Sequence, residues 1–201
     1  MATDAELLAA WQSGDETAGN ELVRRHFRSV SRYFRSKLGD DVQDLIQATF
    51  LDCVRYRDEL HDGTGFRSFV LSVAHRRMVD EVRRRGRRPD FDPARDSLAA
   101  SGLSPSGALT KDERARLLKR AIATLPLEQQ VTLELFYWEQ LRGKDIADVL
   151  GVSQHTVRSR LARAKEALKS AITELADQPQ LASETVEGLD TWAKRIAPDA
   201  G

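Results

Sequence analysis

Cysteine is almost missing from this sequence: Cys53 is the single one in 201 residues. An intramolecular disulfide is therefore excluded, and no Cys/His cluster has the spacing of a zinc site, so neither a metal nor a cofactor is expected. Long hydrophobic runs are missing too. No window approaches the length of a membrane span, and the opening MATDAELLAAW lacks a basic segment followed by a signal-type apolar core. The expected setting is the reducing cytoplasm, without membrane insertion. Aromatic residues make up only 6% of the chain, with 12 glycines and 6 prolines, and no alternating apolar run is bounded by turn signals. Those scarcities favour an all-α fold. Net charge is also lacking, because 31 Lys and Arg offset 31 Asp and Glu. The informative feature is where the charges lie, and the bases gather in two blocks.

The second block holds the clearest pattern in the chain, GKDIADVLGVSQHTVRSRLARAKEALK from Gly143 to Lys169. Ile146, Ala147 and Leu150 share one short helical face, and Gly151 follows where a left-handed residue would end the helix. Ser153 is placed to cap a second helix whose apolar face runs through Val157, Leu161 and Leu168. Gln154, His155, Arg158, Ser159 and Arg163 point elsewhere. A short helix, a Gly turn and a long polar helix make a helix-turn-helix, the device that inserts its second helix into a DNA major groove. From Arg142 to Lys169 seven Lys or Arg stand against three acids, a local +4. The Arg fork fits O6 and N7 of guanine, and Ser, Thr and Gln reach phosphates or base edges.

Upstream, Thr3 and Glu6 read as a capping box for a first short helix. A second helix is expected from about Thr17 to Leu38, with Val23, Phe27, Val30, Phe34 and Leu38 as its core stripe and His26 at the boundary rather than a ligand. Gly39 ends it, and Asp40 or Asp41 should cap a third helix whose apolar positions are Val42, Leu45, Ile46, Thr49, Phe50, Cys53 and Val54. Cys53 lies on that stripe and reads as core packing. After a polar loop, Phe66, Phe69, Val70 and Val73 begin a fourth helix. Its continuing stripe reaches Arg77 and Asp80, so core character should fade there. The distal half carries Arg76, Arg77, Arg83, Arg84, Arg85, Arg87 and Arg88 against Asp80 and Glu81, a local +5. So dense a block calls for an anionic partner, and nucleic acid is favoured over a solvated face.

Composition then shifts. Residues 89–110 have three prolines and no periodicity, which reads as a flexible linker between two helical bodies. Leu117, Leu118, Ala121, Ile122 and Leu125 mark the next helix, and Pro126 should open another that carries Leu127, Val131, Leu135 and Trp138. These two helices and the helix-turn-helix pair are expected to share one small core. In the tail, Ser183 is expected to cap a helix bearing Val186, Leu189, Trp192 and Ile196. From Thr173 onward six acids face two bases, a local −4. Either the tail completes the core beside it, or it docks on one of the two helical bodies and tunes access to DNA.

Taken together, these features resemble an extracytoplasmic-function (ECF) sigma factor of bacterial RNA polymerase. DVQDLIQATFLDCV (Asp41 to Val54) looks like the family's region 2.2, FRSFVLSVAHRRMVDEVRRR (Phe66 to Arg85) like regions 2.3 and 2.4, and Leu125 to Leu168 like region 4. The resemblance implies region 2 over residues 1–88, a linker over 89–110, region 4 over 111–173 and a C-terminal extension over 174–201. It implies that Asp41, Asp44, Gln47 and Phe50 grip the clamp helices of the polymerase β′ subunit, with region 4 on the β flap. His61, His75, Arg76, Arg77, Arg83 and Arg84 would meet the promoter −10 element. Gln154, His155, Thr156, Arg158, Ser159, Arg160 and Arg163 would meet the −35 element. An anti-sigma factor is a further partner the family admits. The chain departs from the family at His75-Arg76, where Arg-Asn is frequent, and in its extension.

The rival reading is a helix-turn-helix regulator that binds operator DNA without polymerase. An enzyme would need a nucleophile, a metal cluster or paired carboxylates in a pocket. Asp41 and Asp44 come nearest, and helix capping explains them better, so no catalytic residue is assigned.

Overall fold

The computed structural model describes residues 2–60, 65–86, 113–187 and 189–192, and among them every regular element is helical. Helix α1 (Asp4–Gln12) opens on the expected capping box, in which the Glu6 carboxylate accepts from the Thr3 N–H at 2.7 Å and the Thr3 hydroxyl accepts from the Glu6 N–H. Helix α2 (Glu16–Leu38) is capped by the Asp15 carboxylate, which accepts from the N–H groups of Thr17 and Ala18. The close approach of the two helices depends on Gly19. A Cβ there would lie 2.4 Å from the Trp11 ring nitrogen.

The stripe expected on α2 is only partly the buried one. Val30, Phe34 and Leu38 face inward, but Phe27 is 48% exposed, and the inward face takes Leu22, His26, Tyr33 and Lys37 instead. Buried polar groups persist only when partnered. His26 Nε2 meets the Asp4 carboxylate at 2.6 Å, and Lys37 Nζ donates to Glu134 from the far half of the chain.

Helix α3 (Gln43–Tyr56) starts after Val42, with no side-chain cap, so the capping expected of Asp40 or Asp41 does not occur. Ile46, Thr49, Phe50 and Cys53 are buried as expected, whereas Val54 is exposed. A 3-10 turn (Arg57–Glu59) follows, and helix α4 (Phe66–Arg85) buries Phe66, Val70 and Val73. Contrary to expectation, burial does not fade along α4. It continues through Met78 and Glu81.

The second half comprises α5 (Glu113–Ala123), α6 (Leu127–Tyr137), α7 (Gly143–Leu150), α8 (Gln154–Leu175), α9 (Pro179–Val186) and α10 (Leu189–Trp192). Pro126 caps α6 and lies one position ahead of its first turn. Leu117, Leu118 and Ile122 of α5, Leu133 and Tyr137 of α6, and Leu168 and Ile172 of α8 form one core, to which Leu189 is added. The tail therefore completes this core. Ser183 lies inside α9 and does not cap it, because Pro179 already starts the helix, which ends at Val186. Asp190 anchors α10 by accepting from the Tyr137 hydroxyl and the Lys165 ammonium, both at 2.6 Å.

Helix α7 belongs elsewhere. Ile146, Ala147 and Val149 of α7, with Val131, Leu135 and Val157, share an apolar cluster with Val70, Val73 and Met78 of α4. Helix α7 packs directly on α4. The two bodies are thus joined through one core, which is why α4 stays buried past Val73.

Candidate nucleic-acid interface

Local chemistry builds the helix-turn-helix. Gly151 takes the left-handed conformation, φ 65° and ψ 35°, ending α7 with its N–H donating to the Ala147 carbonyl. Ser153 then caps α8, its hydroxyl accepting from the Thr156 N–H at 3.1 Å. With Val157, Ala164 and Leu168 turned into the cores, Gln154, His155, Arg158 and Arg163 stand in solvent, and Thr156 and Ser159 are half-buried beside them. These six side chains lie on or beside one open face. Arg160 does not belong to it. Its side chain is only 22% exposed and turns its guanidinium back to the Glu128 carboxylate at 3.1 Å.

The basic block on α4 is more compensated than its sequence suggests. Arg77 donates to Asp52 at 3.0 Å, and Arg84 and Arg85 both donate to Glu81 at 2.7 Å. The hydrogen bond from Arg84, ahead of that from Arg85, holds the Glu81 carboxyl down to about 2. Arg76 is exposed, and Arg83 is 74% exposed with Asp80 no nearer than 3.8 Å. His75 is turned inward, with the Tyr33 hydroxyl 2.8 Å from its Nδ1. Burial, then the charges of Lys37 and Arg160, push its pKa down to about 4, so the ring that shares this hydrogen bond is neutral. His61, Arg87 and Arg88 lie outside the described residues.

On α3 the expected polar face is present: Asp44 and Gln47 are exposed, with Asp41 just ahead of the helix. Phe50 is not freely available, being 8% exposed and stacked on Phe27 at 6.2 Å. Phe27, Leu51, Val54 and Tyr56 are the exposed large apolar side chains of this half. Acids beside exposed apolar groups suit a protein partner better than an anionic one. Cys53, beneath them, has its thiol pushed up to about 12, first by burial, so it is inert packing.

Sequence reasoning missed a second polar group, which lies where the halves meet. Glu139, just past α6, accepts from Ser29 and Arg32 of α2 and from Arg67 of α4, the last at 2.7 Å. Burial alone would raise its carboxyl, yet Arg32 and the hydrogen bonds of Ser29 and Arg67 hold it below the ordinary range. Glu134 accepts from Lys37 and, at 3.2 Å, from the Ser36 hydroxyl. Burial raises the Glu134 carboxyl and lowers the Lys37 ammonium despite their mutual attraction. The only signal in sequence was an acid set among apolar neighbours, LELFYWE.

Among the described residues no helix is long and apolar enough to cross a membrane, and no three His, Cys, Asp or Glu side chains converge to hold a metal. The Sigma-70 region 2 family matches residues 22–88, and the Sigma-70 region 4 family matches residues 115–168. Among curated relatives, the ECF RNA polymerase sigma factor SigM of Mycobacterium tuberculosis is 33% identical over 172 residues, 83% of each chain. The ECF RNA polymerase sigma-E factor of Escherichia coli K12 is 28% identical over 187 residues, covering 86% of this chain and 96% of that one. Among solved structures, CnrH in complex with the cytosolic domain of CnrY superposes with a TM-score of 0.65 at 22% identity, over 86% of this chain and 99% of that one. The sigma factor RpoE from Bartonella quintana, in complex with the anti-sigma factor NepR, gives 0.58 at 18% identity, over 79% and 98%.

Proposed function

Because the chain belongs to the ECF sigma factors of bacterial RNA polymerase, we propose that its α8 face reads the promoter −35 element while exposed bases of α4 meet the −10 element. Sigma factors are transcription-initiation factors, and this one binds core RNA polymerase and directs it to promoters. The relatives do not favour an operator-binding regulator. The observation that carries the residue assignment is the open face of Gln154, His155, Arg158 and Arg163 behind a left-handed Gly turn.

Within that reading, residues 1–88 act as region 2, 89–110 as a linker, 111–173 as region 4 and 174–201 as an extension. Arg76 and Arg83 are the α4 side chains best placed for DNA, since Arg77 and Arg84 are engaged by Asp52 and Glu81. Asp41, Asp44 and Gln47, with the neighbouring Phe27, Leu51 and Val54, offer a mixed acidic and apolar surface to the β′ clamp helices, and region 4 meets the β flap. The likeness to a sigma factor held by NepR supports an anti-sigma partner. No catalytic step or cofactor enters this function, and its place is the cytoplasm.

Binding assays test the reading. Specific capture of a promoter duplex should require core polymerase, and Asp44→Arg should abolish co-purification with core while leaving helical content unchanged by circular dichroism. Specific duplex capture by the chain alone, or unchanged co-purification of the variant, would contradict it.

A further inference from the structure

We propose that Gln12, at the end of α1, is a positioning residue for promoter reading: its side-chain amide sets one wall of the cleft in which α4 presents Arg76 to the −10 element. The inference deepens the sigma-factor reading above and rests on it. It gives α1 a task beyond covering the core.

The 3-10 turn from Arg57 to Glu59 has little to hold it in place by itself. None of its three residues is buried, and the bond that closes it, from the Leu60 N–H to the Arg57 carbonyl, is long at 3.3 Å. So short a 3-10 segment combines poor hydrogen-bond geometry with no packing of its own. Gln12 supplies what is missing. Its Nε2 donates to the Arg57 carbonyl at 2.7 Å and to the Leu60 carbonyl at 3.0 Å. One amide group thus commits both of its hydrogens to the two ends of the turn, 45 and 48 positions away.

Trp11, the neighbour of Gln12, holds the same passage of chain from both sides. Its ring is buried, with the Arg57 guanidinium 5.5 Å from the ring centroid and Phe66, the first residue of α4, edge-on at 6.2 Å. Behind it, Gly19 of α2 lies in close contact with the ring. The last turn of α1 is therefore a fixed support, and a side chain carried on a packed element holds a site more closely than a loop can.

What the turn borders gives the hydrogen bonds a function. Tyr56, Glu59 and Leu60 form one wall of a cleft, and Phe69, Val73, Arg76 and Asp80 of α4 form the other. Arg76 is exposed there, one of the two α4 bases best placed for DNA. A base is read only within hydrogen-bond reach, so a shift of about 1 Å between the walls changes what the cleft accepts. Gln12 does not line the cleft. It acts through the turn, as a support behind the reading surface.

Permutation of each base of both promoter elements tests the assignment, with full chains on core polymerase and a promoter fragment taken from mapped wild-type starts. Gln12→Ala removes both donors, and Gln12→Glu keeps the length while setting carboxylate oxygens against two carbonyls. Either should reduce discrimination at −10 positions about tenfold, the range of a lost hydrogen bond, and leave −35 discrimination and co-purification with core unchanged. Glu6→Ala, which breaks the capping box at the opposite end of α1, is the comparison: it should lower Tm and keep the wild-type −10 preference. Should either Gln12 variant fail to show helical circular dichroism, Gln12→Met, which keeps the length without a charge, is measured in its place with the same expectation. Unchanged −10 discrimination in the Gln12 variants would overturn the proposal. An equal loss at −35 positions, or the same −10 loss in Glu6→Ala, would also overturn it, because each marks lost stability and not lost position. If wild-type holoenzyme starts at defined sites without any −10 preference, the α4 assignment fails and the proposal with it; if it starts at no defined site, the sigma-factor reading itself fails.

Discussion

Lys37 of α2 donates its ammonium proton to the carboxylate of Glu134 of α6, 97 positions away, and both residues are buried. Together with the contacts of Glu139, this contact ties the first half of the chain to the half that carries the helix-turn-helix. It also explains why α2 turns a lysine inward.

Removing one partner should cost far more than removing both. Glu134→Ala is expected to lower the free energy of unfolding by about 3 kcal/mol, the low end for a broken buried pair, because separation of the halves lets water reach Lys37. Lys37→Met combined with Glu134→Leu should recover most of that loss. Denaturant unfolding of both variants checks this, and equal losses in the single and double variants would show that the pair is not coupled.

His75 gives stability a dependence on pH. Its folded pKa, about 4, lies below its ordinary 6.5, so the unfolded chain binds the proton more readily. The contribution is complete above about pH 6.5 and is lost as pH falls toward 4. The groups facing the ring are Tyr33 and Lys37 of α2, Arg160 of α8 and Glu128 of α6. A fall in Tm between pH 7.5 and pH 5, flattened in His75→Gln, is expected; the same slope in both proteins would contradict the assignment.

Two arginines two positions apart should behave differently. Arg158 is exposed on the reading face, so Arg158→Ala should weaken promoter recognition by about 1 to 3 kcal/mol and relax preference at one −35 base. Arg160 is held by Glu128, so Arg160→Ala should leave −35 preference intact. A base-by-base permutation of the −35 element with each holoenzyme makes the comparison. A relaxed preference in the Arg160 variant and not in the Arg158 variant would mean that α8 is rotated from the orientation described.

The tail should prove structural. Truncation before Gln178 removes Leu189 from the core and leaves the Tyr137 hydroxyl and the Lys165 ammonium without Asp190. A clear fall in Tm is expected, and an unchanged Tm would show that α9 and α10 add nothing to the core.

What could be read in sequence was what is decided locally. The Thr3–Glu6 capping box and the Gly151–Ser153 turn each involve residues within four positions of one another, and both stand as expected. The buried face of α2 is not legible locally, because the stripe through Phe27 and the stripe through His26 are one residue apart. Choosing between them needed Asp4 and Glu134, which lie 22 and 97 positions away. Arg160 reads in sequence as part of the open face for the same reason, its partner Glu128 being on another helix. A proline-rich segment suggested independent bodies, and nothing local could reveal that α7 would pack on α4. The mixed surface of α3 was half read: Asp44 and Gln47 were found, but Phe27, Leu51 and Val54 were not, since exposed apolar residues look like core in a periodic pattern.

The most direct test of the central claim is transcription in vitro from genomic fragments, with core RNA polymerase alone and with core plus this chain, followed by mapping of the 5′ ends. The account predicts new starts that depend on the chain, each preceded by shared −10 and −35 sequences, with −35 discrimination reduced by Arg158→Ala. Starts that are the same with and without the chain would contradict it.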